Sequence, residues 1–445
     1  MKRISLYIIT ALLLPVALLA QISSEPYEMM VNGVKVIVKP SGNELVVIQT
    51  LVKGGVQNYP AGKAGIESIA MTALTECGTD TDNKNSFKDK LDKVTAQVYG
   101  YTSMDYASFN LNCIKADLGE VWPLYTAALL TPKFEPKEFD RIKQDAVNGI
   151  RANESSPDAA IDKLSKETAF AGKNYAKDPN GTVAIIEGLK ASEVKKYWQS
   201  VFNKNRIVIV VVGDVEKEKI REMVSALTAK LPAGPGFIAK KEKYLPAATT
   251  FKPVARENAT NYVQGVAGAP LPGSPDYNAY NLAMRIFSNR HFIEIRTKNG
   301  LSYAPGAWFS PGNTPYANLY VTTTDPDKYI AVARALIDKV KTEGFTESEL
   351  KNEKTGYLTG IHYRNETNEA QAASLAANEV IYGDWKRSFR LNDEIKKVTL
   401  EQINAAFKRY MTNITWVYQG DVKKVTPVLF TQKETPPIPV EKKAF

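Results

Sequence analysis

Residues 28–56 have the pattern of β-strands in MMVNGVKVIVKP and ELVVIQTLVKGG, and the first of these segments alternates apolar and polar residues. Asn32 and Gly33 separate the first two of these strands. Asn-Gly between alternating apolar runs is a strong hairpin signal, because both residues tolerate positive φ. The segment 96–114, which is rich in aromatic residues, continues the alternation. We therefore predict a strand-rich start to the chain and a further β-hairpin.

Apolar residues at helical spacing follow these strands and predict a series of helices in the first half of the chain. These helices cover residues 62–76, 85–95, 116–130, 135–153 and 158–171. Two more, at 191–203 and 216–230, flank the apolar run NRIVIVVVGDV, which predicts a buried strand that ends at Gly213.

The second half of the chain repeats this order of elements. It predicts strands in YVQGVAGAP, YAPGAWFSP and ANLYVTTT, and helices over residues 278–298, 327–343, 346–367 and 368–382. The segments 190–215 and 398–422 each contain a helix, an Asn-containing turn, a hydrophobic strand and Gly-Asp-Val. We interpret this as an internal duplication of two α+β units of about 200 residues each.

The cluster of Pro and Gly in LPAGPG, followed by the polar run AKKEK, predicts a linker over residues 232–248. It would separate an N-terminal domain, residues 21–231, from a C-terminal domain, residues 249–430. Residues 431–445 then form a tail that contains Pro and Lys.

Residues 1–20, MKRISLYIITALLLPVALLA, have two cations, an apolar run and a small residue at the end, as a secretory signal peptide has. The alternative is a membrane anchor, for which an apolar run of about 16 residues is short and Pro15 is unfavourable. No later stretch is apolar enough to span a membrane after cleavage. We therefore expect the chain to be exported, to the periplasm, with an extracellular location as the alternative.

The composition excludes several function classes. The chain has 57 Lys and Arg against 48 Asp and Glu, and this mild excess without a long basic run does not indicate a nucleic-acid partner. His291 and His362 are the only histidines, which excludes every metal site that needs two neighbouring imidazoles. Cys77 and Cys113 are the only cysteines; they could form a disulfide or remain two separate buried thiols.

Several segments resemble the insulinase/pitrilysin family of metallopeptidases, the inverted zincins. They are NGVKVIVKP, LVKGGVQNYPAGKAGIE, VVVGDV, NYAKDPNGTVAII, HFIEIRTKNGLSY and TESELKNEKTGYL. The resemblance extends over about residues 27–425. It implies an α+β fold of two homologous domains, each a mostly antiparallel sheet with helices packed on one face.

The zinc motif of this family, His-x-x-Glu-His, is absent. Counted from Gly65, its three positions fall on Ser68, Met71 and Thr72. Counted back from the following Gly-Thr, they fall on Ile69, Thr72 and Ala73. The position of the third ligand falls near Gly149. The resemblance therefore implies a chain without a cofactor of its own, with zinc expected in a partner subunit.

A second family motif, an Arg and a Tyr seven residues apart, is present as Arg296 and Tyr303. Because Asn299-Gly300 should end the helix, we expect Tyr303 to begin the next strand. In the family, such a pair binds the substrate carbonyl and the oxyanion that forms from it, and both side chains are suitable donors. The alternative is an ordinary packing pair at a helix–strand corner.

The leading hypothesis is a non-catalytic subunit of a heterodimeric zinc peptidase. Its partners would be a homologous subunit that carries His-x-x-Glu-His and a peptide substrate, and Arg296 and Tyr303 would complete the partner's site. One alternative is a structural or peptide-binding homologue without a role in proteolysis. Another is a homodimeric chamber that binds unfolded peptides.

Overall fold

The structure is a computed structural model that describes residues 25–433. The predicted signal peptide therefore lies outside the described residues, and so does the predicted tail beyond residue 433. Within residues 25–433, no helix has the length and apolarity that crossing a membrane requires.

The N-terminal half is built on a six-stranded sheet in the order β1-β2-β6-β3-β5-β4. Its strands are β1 (Tyr27–Val31), β2 (Val34–Pro40), β3 (Leu45–Lys53), β4 (Gln97–Thr102), β5 (Tyr106–Ile114) and β6 (Ile207–Gly213). Only β2 and β6 pair in parallel. The predicted Asn32-Gly33 turn is confirmed, with φ of 50° and 86°.

The C-terminal half contains a five-stranded sheet in the order β7-β11-β8-β10-β9. Its strands are β7 (Thr250–Ala255), β8 (Asn261–Gly268), β9 (Gly306–Ser310), β10 (Tyr316–Thr323) and β11 (Ile414–Gly420). This order repeats that of β2 to β4 in the first sheet, and β7–β11 is again the parallel pair. The equivalent strands β6 and β11 both end in a glycine of positive φ, 154° at Gly213 and 157° at Gly420. The predicted duplication is confirmed.

Fifteen α-helices cover the sheets within residues 25–433. Those of the first half are α1 (Ile66–Glu76), α2 (Lys84–Lys93), α3 (Leu118–Leu130), α4 (Pro136–Ser155), α5 (Pro157–Ala169), α6 (Val183–Gly188), α7 (Ala191–Val201) and α8 (Lys217–Ala229). Those of the second half are α9 (Tyr277–Phe292), α10 (Pro326–Glu343), α11 (Glu347–Arg364), α12 (Asn368–Tyr382), α13 (Arg387–Lys397), α14 (Leu400–Tyr410) and α15 (Pro427–Thr431). Capping boxes explain where two of them begin, Thr346 with Glu349 for α11 and Thr399 with Gln402 for α14.

The α+β class is confirmed, but the expectation that helices cover only one face of each sheet is incomplete. Helix α12, from the C-terminal half, packs on the second face of the N-terminal sheet, where Leu375 and Ala376 join Val47 and Val210 in one apolar cluster. Helix α5, from the N-terminal half, packs on β8 and β11 of the C-terminal sheet. The two halves therefore exchange one helix each.

Residues 232–248, the predicted linker, contain no helix or strand. The segment is nevertheless anchored, because Gln57 exchanges two hydrogen bonds with the backbone of Lys240 and the buried Tyr244 hydroxyl donates to Thr415 Oγ1 at 2.8 Å. The domain boundaries on either side of it remain a prediction.

Candidate functional site

Helix α1 presents the positions at which the family carries its zinc motif. It begins after Gly65, which has φ of +89°, and a Cβ at this position would lie 2.7 Å from the Asn180 carbonyl oxygen. A residue with a side chain would therefore be strained and crowded here. The apolar side chains of α1, among them Ile69 and Leu74, are buried in the N-terminal core. Ser68 and Thr72 lie on its less buried side.

A cavity of about 570 Å³ lies along α1 and α4, which also contact one another, and Ser68, Thr72 and Gly149 all line it. Counted from Gly65, Ser68 and Thr72 are the positions of the two His residues of His-x-x-Glu-His, and Gly149 is the position of the family's downstream zinc ligand. In the other register the corresponding position, Ala73, is fully buried and does not line the cavity. The structure thus favours the count from Gly65 and brings the three lost ligand positions together.

The residues at these positions do not fit zinc. The Thr72 hydroxyl donates to the Ser68 carbonyl oxygen at 3.0 Å, and Gly149 has no side chain. Met71, at the position of the general base, is buried, where its backbone and Cβ lie close beside Gly100 of β4. Over residues 25–433, no group of three or more His, Cys, Asp or Glu side chains is arranged to hold a metal ion. No catalytic step through zinc can be derived for this chain.

Ion pairs form part of the cavity wall. Arg141 of α4 pairs with Glu76 of α1, with Glu138 and with Asp145. Lys88 adds a 2.5 Å contact to Glu76. Burial raises the pKa of the Glu76 carboxyl, but hydrogen bonds from Lys88 and Arg141 outweigh it, and the pKa lies below its ordinary value. Sequence analysis missed this network, which links residues that are distant along the chain.

Glu67, the residue before Ser68, is fully buried. Its Oε2 accepts hydrogen bonds from the Tyr197 hydroxyl and from Asn58 Nδ2, the latter at 2.9 Å, whereas its Oε1 has no partner within residues 25–433. Desolvation raises the pKa of Glu67 to about 7, against the effect of these hydrogen bonds and of Arg206. The carboxyl holds the start of α1 against α7 and the Asn58 turn.

A second cavity of about 400 Å³ adjoins the first and shares Ile150, Asn153 and Asn180 with it. Tyr101 and Thr102, at the end of β4, form part of its wall. Strand β4 is the edge of the N-terminal sheet, so one side of its backbone is not paired with another strand of the sheet. An extended peptide could add to such an edge.

Arg296 and Tyr303 lie together in the C-terminal half. The Arg296 guanidinium is 4.2 Å from the centre of the Tyr303 ring and 5.1 Å from that of Phe292, so two rings flank the cation. Helix α9 continues as a π-helical turn, Ile293–Lys298, that carries Arg296. Gly300, with φ of 62°, ends this turn.

The prediction that Tyr303 begins a strand is wrong. Strand β9 starts at Gly306, and Tyr303 lies in the preceding loop. Pro305 precedes Gly306 and has no N–H to donate to a sheet. Because Tyr303 is outside the sheet, its side chain is free to lie over Arg296. It is 79% exposed.

Apolar side chains beside the pair are exposed. Phe292, whose ring contacts Arg296, and its chain neighbour Ile293 both lie in solvent, although large apolar side chains are usually buried. Sequence analysis missed them. The spacing of Phe292 and Arg296, four residues apart on a helical segment, was the signal that could have revealed the contact.

The structure does not bring the two candidate sites together. Ser68, Thr72 and Gly149 line a cavity in the N-terminal half, and neither Arg296 nor Tyr303 is among the described residues that line it. The N-terminal cavity therefore has the positions of the zinc motif without its ligands, whereas the Arg/Tyr motif lies in the C-terminal half.

The two histidines and the two cysteines of the chain are its other candidate residues. His291 is fully buried, its Nε2 is 3.2 Å from the Tyr329 hydroxyl, and desolvation lowers its pKa to about 3, so it is neutral. Cys77 and Cys113 are free and buried, and desolvation raises the pKa of each thiol to about 12. The disulfide that the sequence left open is not formed. His362 lies on α11, exposed to solvent.

Comparison with known proteins places both halves in one family. The model described as insulinase (peptidase family M16) matches residues 70–182, and the model described as peptidase M16 inactive domain matches residues 188–357. The chain is similar to a non-peptidase homolog, YmxG, of Helicobacter pylori, with 22% identity over 88% of this chain and 94% of the relative. It is also similar to an uncharacterized zinc protease, YmxG, of Bacillus subtilis, with 18% identity over 75% and 83% of the two chains.

Solved structures share the fold. A peptidase M16 inactive domain from Pseudomonas fluorescens superposes with a TM-score of 0.81 at 17% identity and covers 91% of this chain and 99% of its own. The periplasmic protease PqqL from Escherichia coli superposes with a TM-score of 0.74 at 15% identity, over 94% of this chain and 49% of its own.

Proposed function

Because the chain belongs to the insulinase family, peptidase family M16, we propose that it is the non-catalytic subunit of a heterodimeric zinc peptidase. A homologous partner with His-x-x-Glu-His would hold the metal and the general base. This chain would supply part of the chamber wall together with the side chains of Arg296 and Tyr303, which bind the substrate carbonyl and its oxyanion.

The observation that carries this proposal is the asymmetry between the two sites. The zinc positions have lost every ligand, whereas Arg296 and Tyr303 are retained and stacked on one another. Tyr303 is exposed, and over residues 25–433 its hydroxyl has no hydrogen-bond partner. A pair that served only the packing of this chain would be expected to be more buried. Exposed hydrogen-bond donors are suited to a substrate carbonyl that enters from solvent or from a partner subunit.

Peptide is the substrate class that the N-terminal half supports. The cavity of about 400 Å³ has the end of the edge strand β4 in its wall, and the cavity of about 570 Å³ adjoins it. Their walls combine apolar residues such as Ile150 with carboxylates, lysines and amides. An extended peptide would bind through backbone hydrogen bonds to the edge strand and place its side chains in the cavities.

The same cavities favour a second candidate function, a peptide-binding homologue without a role in proteolysis. In that case the edge of β4 and the cavities would bind peptide, and Arg296 and Tyr303 would only brace the loop before β9. The two functions differ in what they require of a partner.

Co-expression with a homologue that carries His-x-x-Glu-His tests the proposal. We expect the two chains to copurify, and we expect peptidase activity from the complex that neither chain shows alone. A partner variant with Gln in place of the motif Glu is the control, because it should assemble without activity. A zinc homologue that is fully active alone and unaffected by this chain would favour the peptide-binding alternative.

We further propose that the chain acts outside the cytoplasm, in the periplasm, after removal of residues 1–20. The leader sequence supports this, and one structural relative is a periplasmic protease. N-terminal sequencing of protein from the osmotic-shock fraction should begin at Gln21. Recovery of the uncut chain in the cytoplasm would contradict it.

A further inference from the structure

Strand β4 is an edge strand without the residues that usually protect such an edge. It ends one side of the N-terminal sheet, and no backbone hydrogen bond joins Gln97–Thr102 to a described element other than β5. Edge strands often carry charged residues or Pro, which hinder the addition of another strand. Strand β7, an edge strand of the same length, carries Lys252 and Pro253, whereas β4 carries neither kind of residue. The edge of β4 is therefore suited to an added strand.

Two exposed tyrosines lie on one face of this edge. Gly100 faces α1, because a Cβ at its position would lie 2.7 Å from Met71 Cβ. Side chains alternate along a strand, so Tyr99 and Tyr101 face away from α1, and they are 42% and 54% exposed. An added strand would place alternate side chains against these two rings. Aromatic and β-branched side chains form favourable cross-strand pairs with an aromatic ring.

The cavity of about 400 Å³ at the end of β4 has an excess of carboxylates. Its charged lining residues are Glu154, Asp162, Glu167, Asp178, Lys163, Lys166 and Lys177. Lys163 pairs with Glu154 at 2.8 Å, and Lys166 pairs with Asp162 at 2.6 Å. Lys177 donates to the Tyr59 carbonyl oxygen at 2.7 Å. Glu167 and Asp178 form no ion pair within the described chain, so a basic side chain would complement the charge of the cavity.

We propose that β4 selects an extended peptide that has two bulky apolar residues at alternate positions and a basic residue two positions beyond them. The apolar side chains would pack on Tyr99 and Tyr101, and the basic side chain would enter the cavity toward Glu167 and Asp178. This inference rests on the proposed function in one respect, that a peptide adds to the edge of β4. It goes further because it names the class of peptide and the residues that select it.

Binding of synthetic peptides to the mature chain without a partner tests the selectivity. The peptide Lys-Thr-Phe-Thr-Phe-Thr-Lys, with blocked termini, reads the same in both directions and therefore fits β4 as a parallel or an antiparallel strand. Isothermal titration calorimetry should show saturable binding. The rearranged peptide Lys-Thr-Thr-Phe-Phe-Thr-Lys has the same composition but places its two rings on opposite faces, so it should bind about fivefold more weakly.

The two ends of the peptide test the contribution of the cavity. Glu-Thr-Phe-Thr-Phe-Thr-Glu would bring a carboxylate to Glu167 and Asp178, so it should bind more weakly than the peptide with lysine ends. The double variant Glu167→Gln/Asp178→Asn should lose this preference for lysine over glutamate. An unchanged preference in the double variant would contradict the role of the cavity.

Variants of the two tyrosines test the other contacts. Tyr99→Thr and Tyr101→Thr should each weaken binding of the alternating peptide about fivefold, and Thr is itself favourable in a strand. Tyr363→Thr is the matched control, because Tyr363 is 69% exposed and lies on α11. Circular dichroism checks that each variant folds, and the comparison of peptides on the wild type decides if one does not. Folded variants of Tyr99 and Tyr101 that bind like the wild type would overturn the proposal.

N-methylated peptides separate this inference from the proposed function. Only alternate backbone groups of an added strand face β4, so methylation of the two Phe amides and methylation of the three Thr amides should weaken binding unequally. Unequal weakening, together with equal binding of the alternating and rearranged peptides, would overturn the selectivity and leave peptide addition to β4 intact. No saturable binding of any peptide up to about 1 mM would overturn the β4 site. The activity of the heterodimer would still test the proposed catalytic role separately.

Discussion

At the scale of single residues, burial in the fold raises the pKa of the Glu67 carboxyl. Its carboxyl is fully buried, has one unpartnered oxygen, and has a pKa of about 7 instead of 4.5. The folded state therefore binds this proton more tightly than the unfolded state does. Ionisation of Glu67 disfavours folding, in contrast to the surface carboxyl of Glu138, whose pKa is lowered by its hydrogen bond with Arg141.

This predicts a pH dependence of stability. Because the folded pKa is raised, the contribution of Glu67 is fully present below about pH 4.5 and is lost as the pH rises through 7. The total change is on the order of 3 kcal/mol. The unfolding free energy of the wild type minus that of Glu67→Gln should therefore fall by about 3 kcal/mol between pH 4.5 and pH 8. Chemical denaturation of both proteins at the two pH values measures it. Glu120→Gln on α3 is the control for removing a surface glutamate. Parallel profiles for wild type and Glu67→Gln would contradict the prediction.

A second prediction at this scale concerns Tyr303. Tyr303→Phe keeps the ring on Arg296 and removes only the hydroxyl, so turnover of the heterodimer should fall by about 10²–10³. Arg296→Ala should lower turnover as well. Because Tyr303 is exposed, the unfolding free energy of Tyr303→Phe should stay within about 0.5 kcal/mol of the wild type.

Steady-state kinetics and thermal unfolding of the same complexes distinguish the two roles. Tyr363→Phe is the matched control, because Tyr363 is also exposed and lies on α11, outside the pair. Unchanged turnover in both Arg296→Ala and Tyr303→Phe would favour the peptide-binding alternative.

At the scale of elements, the exchange of α5 and α12 joins the two halves. Lys35 of β2 pairs with Glu379 of α12 at 2.7 Å, and Asn368 Nδ2 donates to the Leu45 carbonyl oxygen at 2.6 Å. Gln264 of β8 reaches Asp162 of α5 at 3.4 Å. Polar contacts of this kind set the position of each helix, while apolar side chains supply most of the burial.

The role of α12 can be measured. Leu375 is buried between α12 and the sheet, so Leu375→Ala should cost about 2–4 kcal/mol of unfolding free energy through lost burial and a cavity. Ala373→Ser, at an exposed position on the same helix, should change it by less than about 0.5 kcal/mol. Chemical denaturation of both variants provides the test. A loss below about 1 kcal/mol for Leu375→Ala would mean that α12 is not tightly packed on the sheet.

At the scale of the whole molecule, the chain has the architecture of a family member with its metal chemistry removed. The cavity beside α1 persists, but the motif positions that line it offer the hydroxyls of Ser68 and Thr72 and the bare Gly149 in place of zinc ligands. Ion pairs of Arg141, Lys88 and Glu76 form part of its wall.

We therefore predict that the purified chain holds no stoichiometric zinc, whereas the heterodimer holds about one zinc per two chains, contributed by the partner. Elemental analysis after dialysis against a weak chelator measures both. The isolated partner, which should hold about one zinc per chain, is the positive control. About one tightly held zinc per copy of the isolated chain would contradict the prediction.

The sequence by itself determined the local structure and the missing chemistry. The Asn32-Gly33 turn, the hairpin of β4 and β5, and most helices follow from residue preferences that act over a few positions. The absence of zinc ligands at Ser68, Thr72 and Gly149 is a matter of residue identity, which no folding can change. The duplication was visible because both copies retain the same order of local patterns.

Only the tertiary structure decided which distant elements meet. The continuous apolar run of β6 indicated burial on both faces, but periodicity cannot say that α12 provides the second cover. Tyr303 lies over Arg296 because the strand begins later than the helix stop alone suggested. Lys39 and His362 share a cavity only because α12 crosses to the other half. Such contacts depend on complementary packing between segments that are far apart in the sequence. The conformational preferences of neighbouring residues do not encode that packing.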